Sequence, residues 1–380
     1  MALRSTDYLW NYAAVVLKTG LSRSPIGEAK EQFLNGAEYR LYIWVRMNPN
    51  LIQKFQSLFV DKKSSNLRQI SERFVEDEAY VVAEDQEQTK TAFSNKWKQV
   101  DHGSDDYIRA LERQKAWYLE LYGFDNETQL ASFLNQCEYV LDAGAGKCGK
   151  AAWFAELSPS TLVVAADIST SLYDAAEYYS DVSNLFFVRC DIGSMPFFSD
   201  SVYDYISCDQ VIHHTAQPRM TFAELVRLAG ENGDIACYVY RKKALPRELL
   251  DDHFRTYSKE LSHEDLIALS SQLTNLGRIL SSVEDEIDFP DIPLMGIEGG
   301  KMTIQRFLYW NFIKCFWNEQ MGEQLSTITN YDWYSPSQAY RYTEEEFRSW
   351  STEEKLETVH FHSEQACYSG RFRKNKDKPE

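Results

Sequence analysis

A glycine turn, a series of strand-end acids and a histidine pair are the residues whose spacing can do chemistry. The turn runs Asp142-Ala143-Gly144-Ala145-Gly146-Lys147-Cys148-Gly149. Glycine lets backbone approach a ligand closely and adopt positive φ. Gly144, Gly146 and Gly149 have the G-x-G-x-x-G spacing of a nucleotide-binding turn, in which the third glycine packs helix on strand. Asp142 ends the strand before the turn. Asp167 follows about 20 residues on, where one carboxylate can accept both hydroxyls of a ribose. Asp191 ends a third strand, and Asp209-Gln210 end a fourth. His213 and His214 come next, and histidine can act as a general base near neutral pH. The plainer reading of the pair is packing between loop and helix. Adjacent histidines face different ways, so they do not form a metal pair. Cys148 opens a helix, where a thiolate is stabilised. The plainer reading is a small residue filling a glycine's place, and no base can be placed beside the thiol.

These residues need a frame of strands, and the sequence supplies one. From Glu138, short apolar runs alternate with helical patterns: EYVLDA, GKAAWFAEL, TLVVAAD, SLYDAAEYYS, LFFVRCD, YDYISCDQV, MTFAELVRLA and, after the Asn232-Gly233 turn, DIACYVYR. Such alternation implies a parallel sheet covered on both faces, with ligands outside the carboxyl ends of the strands. Residues 1–85 read as a mainly helical N-terminal region, with EAKEQFLNGAEYRLYIWV and NLIQKFQSLF at helical spacing. DEAYVVAEDQEQ reads as a short strand running into a charged linker. QTKTAFSNKWKQVD and DDYIRALERQKAWYLELYG read as helices, and the first puts Phe93 and Trp97 on one face. After Arg241 the strand rhythm stops for about 100 residues. HEDLIALSSQLTNL and TIQRFLYWNFIKCFWNEQM read as helices there, and NYDWYSPSQAYRY as an ordered loop. Thr343 and Glu346 form a capping box at the start of TEEEFRSW. KLETVHFHSE and ACYSGRFRK alternate as a C-terminal antiparallel hairpin.

The expected fold is therefore α/β: a doubly wound sheet of seven strands, a helical N-terminal region at 1–85, and a domain at 86–380. A helical lid insertion occupies about 241–340. The net charge of −17 argues against a nucleic-acid partner, which would demand clustered Lys and Arg. The basic run GRFRKNKDKPE reads as a solvated tail. Aromatics make up 14%, which suits tight cores or flat apolar pockets. The seven cysteines have no CxxC pair, so no zinc site is expected, and a reducing cytoplasm fits them. No run reaches the ~18 apolar residues of a membrane span, and the first residues lack a signal-peptide pattern.

Four segments in order, VLDAGAG, VVAADIS, FVRCDIGSMPF and YDYISCDQVIHH, resemble the class I S-adenosylmethionine-dependent methyltransferases. The resemblance covers Glu138 to Tyr240 and implies a Rossmann-like fold, a transferase activity and S-adenosyl-L-methionine as cofactor. By it, the backbone of Gly144, Ala145 and Gly146 lies against the methionine part, with Asp142 near its amino group. Asp167, with Ile168 beside it, holds the ribose. Asp191 takes the adenine amino group beside Ile192. Asp209 or Gln210 faces the methionine end. In this family residues before the first strand fold over the cofactor, which makes Phe93 and Trp97 candidates, and substrate-facing residues follow the fourth strand. His213, His214 and, from the insertion, Tyr334 are the catalytic candidates, with Tyr340 beside them. The family commonly has a glycine where Cys148 stands. VYRKKALPRELLDDHFR more loosely resembles bacterial small-molecule methyltransferases with a long insertion after the fifth strand.

The expected reaction is in-line displacement at the sulfonium methyl by a nucleophile of a small-molecule acceptor, in the biosynthesis of a natural product, with no metal. One rival uses the same cofactor differently: ring closure to azetidine-2-carboxylate with release of methylthioadenosine, or aminocarboxypropyl transfer. A second is a non-catalytic scaffold, and a third an NAD-dependent oxidoreductase. The sequence leaves the oligomeric state open.

Overall fold

The computed structural model describes residues 49–60, 66–78, 84–98 and 102–375. Pro49–Glu380 form one compact unit. Helix α1 (Pro49–Ser57) buries Leu51 and Phe55. A hairpin follows, β1 (Leu67–Ser71) with β2 (Phe74–Asp77). Helices α2 (Glu84–Lys98), α3 (Asp105–Tyr122) and α4 (Glu127–Leu134) lead to the central sheet. There β3 (Tyr139–Ala143), α5 (Gly149–Leu157), β4 (Leu162–Asp167), α6 (Ser171–Tyr178) and β5 (Leu185–Arg189) alternate. The alternation continues through β6 (Tyr203–Cys208), α7 (Pro218–Leu228) and β7 (Ala229–Arg241).

The insertion holds α8 (Leu245–Ser258), α9 (His263–Ser281), the hairpin β8 (Glu286–Phe289) and β9 (Gly300–Thr303), α10 (Ile304–Asn311) and α11 (Gly322–Tyr334). The chain closes with β10 (Arg341–Tyr342), α12 (Glu344–Glu353), β11 (Glu357–Ser363) and β12 (Cys367–Arg373). Thr343 and Glu346 make the expected capping box.

The sheet order is β1-β2-β5-β4-β3-β6-β7-β12-β11, with β10 beside the end of β7. The expected seven strands are all present: β3 to β7 parallel, then β12 antiparallel to β7 and β11 antiparallel to β12. Strand order reverses at β3, which has β4 on one side and β6 on the other. A crevice opens at the carboxyl end of such a switch point. Alternate residues feed the two faces. Leu141, Val164, Phe186 and Ile206 join one core, and Val140, Val163, Phe187 and Tyr205 the other. Each such aliphatic or aromatic side chain contributes about 1.5–3 kcal/mol by burial.

Several expected elements come out differently. The helical reading of EAKEQFLNGAEYRLYIWV lies outside the described residues, as does AYVVA. Residues 67–77, expected within a helical region, form a hairpin. Its β2 supplies a parallel partner to the otherwise open edge of β5, Phe74 opposite Phe187, and that pairing overrides local pattern. α10 stops at Asn311, although the apolar run continues. The next residues are taken up by side-chain amides instead. Asn330 binds both the amide and the carbonyl of Phe316 (2.8 and 3.0 Å), and Gln305 donates to the carbonyl of Cys315 (3.2 Å). A backbone whose groups are already bonded this way does not continue a helix. NYDWY, expected as loop, is the last turn of α11. The insertion is thus helical with one small hairpin.

Asp234 of β7 is almost fully buried and takes a forked bond from Arg373 of β12 (2.6 and 2.9 Å). Asp234→Ala is expected to lower stability by about 2 kcal/mol in urea unfolding, because Arg373 loses a charged partner. Replacing an exposed acid such as Glu231 serves as the comparison.

Candidate cofactor and acceptor site

The glycine turn is fastened to β4. Gly144 and Ala145 both donate to the carbonyl of Ala166 (2.7 and 3.0 Å), and Gly146 donates to Asp167 Oδ2 (2.8 Å). Asp167 Oδ1 accepts from Ser169 N at 2.7 Å. Two bonds to backbone fix the carboxylate's plane and leave its remaining lone pairs facing the crevice. Gly144 and Gly146 both have positive φ, +83° and +53°. A Cβ on Gly144 would meet Val211 at 2.4 Å, and one on Gly146 the ring of Trp97 at 2.9 Å. These positions therefore admit only glycine, and Trp97 of α2 lies directly over the turn.

Cys148 also has positive φ, +62°, and caps α5 with no side-chain bond to the helix. This accounts for the glycine commonly found here in related turns: the left-handed conformation costs a residue with a Cβ roughly 1–2 kcal/mol. The thiol is fully buried. Burial, and after it the charges of Asp142 and Asp167, push its pKa well up. The thiol also lies outside the cavity wall, surroundings that favour the small-residue reading over a reactive thiolate.

Asp142 lies deeper than expected. It is fully buried and sits behind Lys150, whose Nζ lies 3.1 Å from Asp142 Oδ1 and 3.5 Å from Asp209 Oδ2. Neither Asp142 oxygen has an aligned hydrogen bond, so the contact with Lys150 is an ion pair of poor geometry. Burial pushes the Asp142 pKa up to about 6, against the pull of Lys150. Asp209 accepts from Tyr122 Oη (2.9 Å) and Gln210 Nε2 (3.2 Å). At the far end of the crevice Asp191 accepts from Gly193 N (2.8 Å), and burial raises its pKa. Ile168 and the buried Ile192 line the same wall.

These residues border a cavity of about 990 Å³ that runs from the glycine turn into the insertion. Phe93, Trp97, Asp167, Asp191, Asp209 and His214 all line it. So do residues that sequence reasoning missed. Lys96 stands between Phe93 and Trp97, 4.5 Å over the Trp97 ring, and pairs with Asp332 at 2.9 Å. Lys150 could have been found as the lone charge early in an apolar helix. Asp332 gives no sequence signal, since only the turn of α11 aims it inward.

The histidines separate. His214 Nδ1 bonds the carbonyl of Gln338 (2.7 Å), which as a donor leaves Nε2 a neutral acceptor. His213 does not reach the cavity: it is fully buried and packs against Tyr240, the rings tilted by 38° with centres 3.7 Å apart. Burial holds His213 well below the usual histidine range and lowers His214 to about 4. Tyr334 is also turned away. It is buried against Phe254, with its hydroxyl 3.4 Å from Asp251. Its neighbours Asp332 and Trp333 face the cavity instead, because a helix cannot present three successive residues to one side. Tyr340 is 42% exposed and lies outside the cavity wall.

Residues 141–237 match a family model described as a methyltransferase domain. Over those residues the chain carries a methyltransferase domain, and S-adenosylmethionine is the cofactor that such a domain implies. Comparison with curated proteins finds no match. Among solved structures, it is similar to the Burkholderia thailandensis 1,6-didemethyltoxoflavin-N1-methyltransferase with bound 1,6-didemethyltoxoflavin and S-adenosylhomocysteine (10% identity, 82% of this chain and 100% of that one, TM-score 0.36). It is also similar to human N-acetylserotonin methyltransferase in complex with S-adenosylmethionine (11% identity, 67% and 52%, TM-score 0.36). A third is an S-adenosylmethionine-dependent methyltransferase from Aquifex aeolicus (12% identity, 71% and 98%, TM-score 0.35). At such scores the assignment rests on the family match and on the site itself.

The site fits the cofactor. The glycine cradle has no room for a Cβ, Asp167 presents a carboxylate where vicinal hydroxyls need one, and Asp191 is a half-buried acceptor suited to an amino group. Asp167→Ala is expected to weaken S-adenosylhomocysteine binding about 10–100-fold in calorimetry, since it removes charged acceptors and loosens the turn. All seven cysteines are free and buried, so a thiol reagent should react slowly with the folded protein and fully after unfolding. Cys148→Gly should keep cofactor affinity.

His214 also predicts acid lability. Its folded pKa is below its ordinary 6.5, so as pH falls the unfolded chain takes the proton first. Stability is complete above about 6.5 and declines from there towards about 4, by on the order of 3 kcal/mol. His214→Asn should show a shallower decline in urea midpoints between those limits.

Proposed function

We propose that the protein methylates a small-molecule acceptor in the biosynthesis of a natural product. The observation that carries this reading is the cavity. At about 990 Å³ it lies at the upper end of the roughly 300–1,000 Å³ typical of ligand pockets. It continues past the cofactor cradle into the insertion, where Tyr240, Trp333 and Tyr309 line it. That leaves space for a second ligand, which ring closure of the cofactor alone does not use. The aromatic walls and the overall negative charge favour a small molecule over nucleic acid. Seven free thiols suit a reducing cytoplasm as its setting. No helix among the described residues is long and apolar enough to cross a membrane.

Bound in the cradle, S-adenosylmethionine supplies a methyl group on a positively charged sulfur. That carbon would be open to in-line displacement by an acceptor's lone pair, with the turn backbone, Asp167 and Asp191 holding the cofactor. The chain's task is to place the two partners and keep water out. The turn backbone, Asp167 and Asp191 fix the cofactor, and Trp97 closes over it. Lys150 and Asp209 line the methionine end, and Asp142, buried behind Lys150, holds that ammonium in place rather than meeting the cofactor. His214 orients rather than deprotonates, because its low basicity makes it a poor proton acceptor.

Incubation of purified protein with S-adenosylmethionine, with and without a panel of aromatic acceptors, tests this. S-adenosylhomocysteine formed only with an acceptor is the expected result. Methylthioadenosine formed from the cofactor alone would establish the non-methyl chemistry instead. His214→Gln should lower kcat by no more than about tenfold, and the wild-type rate should be flat from pH 6 to 8 as far as this residue governs it.

A further inference from the structure

The insertion end of the cavity is cationic, in a chain whose net charge is −17. Lys243, Arg247, Arg306 and Lys314 all line it. Arg247 is neutralised by Asp251 at 2.7 Å, both side chains being fully buried. Across the cavity, Lys96 and Asp332 neutralise each other. The other three cations have no carboxylate within ion-pair distance among the described residues. Lys314 is only 8% exposed, and its Nζ donates to Tyr309 Oη at 2.9 Å. An ammonium has three donors, so two remain. Arg306 sits at the rim, its guanidinium 5.5 Å from the Trp310 ring centre and 5.8 Å from that of Tyr309. Lys243 spends its donors on the carbonyls of Arg241, Gln365 and Ala366 (2.8, 2.7 and 3.0 Å), and so has no donor left for a ligand. Glu364 is the one further acid on this part of the wall, and it faces His362 at 3.4 Å.

A buried ammonium without a counter-ion is costly, and the cost is recovered when an anion arrives. The potential is visible on Lys243, whose pKa burial lowers well below normal, with Arg247 and Lys314 adding to the effect. The surfaces between the cations are flat. Lys314 Nζ lies 4.9 Å from the Trp333 ring centre and 5.2 Å from that of Tyr309. Charge and aromatic faces together select a planar molecule with a negative end.

We propose that the acceptor is an aromatic anion whose carboxylate or phosphate is received by Lys314 and Arg306, with Lys243 behind them. This rests on the reading of the cavity as holding a second ligand beside the cofactor. The test uses the full chain saturated with S-adenosylhomocysteine, whose own binding is first measured by calorimetry. Benzoate, phenyl phosphate and neutral benzamide are then titrated, with tryptophan fluorescence as readout. At least one anion should bind about tenfold more tightly than benzamide, as a charged hydrogen bond implies, and which anion wins identifies the group. Lys314→Gln and Arg306→Gln should each reduce that anion's affinity about tenfold and leave benzamide and S-adenosylhomocysteine unchanged. Because Arg306 is exposed, its variant should fold even if the Lys314 variant does not. Equal binding of benzamide, no anion-dependent signal, or affinities unmoved by both substitutions would overturn the proposal. So would displacement of S-adenosylhomocysteine by the anions, which would assign the cations to the cofactor. Failure of S-adenosylhomocysteine to bind at the outset would instead overturn the cofactor reading.

Discussion

The carboxylate of Asp167 is bonded to the backbone on both sides, to Gly146 and to Ser169. That pair of bonds governs the crevice. It ties the glycine turn to the end of the neighbouring strand and sets the plane of the acid. It also fixes the height of Gly146, against which Trp97 packs. The parallel sheet makes this possible, since adjacent strands end at one edge and their terminal side chains become neighbours. The same edge brings Asp142, Lys150 and Asp209 together. A residue with a Cβ at Gly146 would meet the Trp97 ring and disturb the whole arrangement.

Charge is divided along the cavity. Acids line the cavity where the sheet ends, at Asp167, Asp191 and Asp209, with Lys150 beside Asp209, while Lys243, Arg247, Arg306 and Lys314 line it from the insertion. A sulfonium cofactor with an amino group and an adenine amine suits the first half. The second half has the opposite sign. Between them lie neutral aromatic faces and a histidine that burial keeps uncharged.

Much of the sheet was legible because fully buried parallel strands read as unbroken apolar runs, and VLDAGAG and TLVVAAD leave little alternative. The acids at strand ends were legible for the same reason, as the first polar residues after such a run. The hairpin at 67–77 was not, since LRQIS and FVED carry no strand rhythm of their own and owe their conformation to the edge of β5. The insertion was least readable. Its apolar segment after Asn311 resembles a helix in composition, and the amides of Asn330 and Gln305, distant in sequence, are what hold it extended. Tyr334 was misplaced because NYDWY reads as loop, whereas in α11 Asp332 and Trp333 take the cavity side and the next residue turns about 100° further round.

The chain leaves the sheet after Arg241 and comes back to the same place. Arg341 and Tyr342 of β10 pair with Tyr240 and Arg241 of β7, and Lys242 N donates to the carbonyl of Tyr342 at 2.8 Å. An excursion of about 100 residues thus begins and ends side by side on one strand. Its length has small thermodynamic weight, because each doubling of a closed loop costs only about 0.6 kcal/mol. The bonds that hold the glycine turn, Gly144 and Ala145 to Ala166 and Gly146 to Asp167, use no residue between those two points. The insertion is therefore an exchangeable module: a lineage could lengthen, shorten or replace it, and change what is methylated, without rebuilding the machinery that holds the methyl donor.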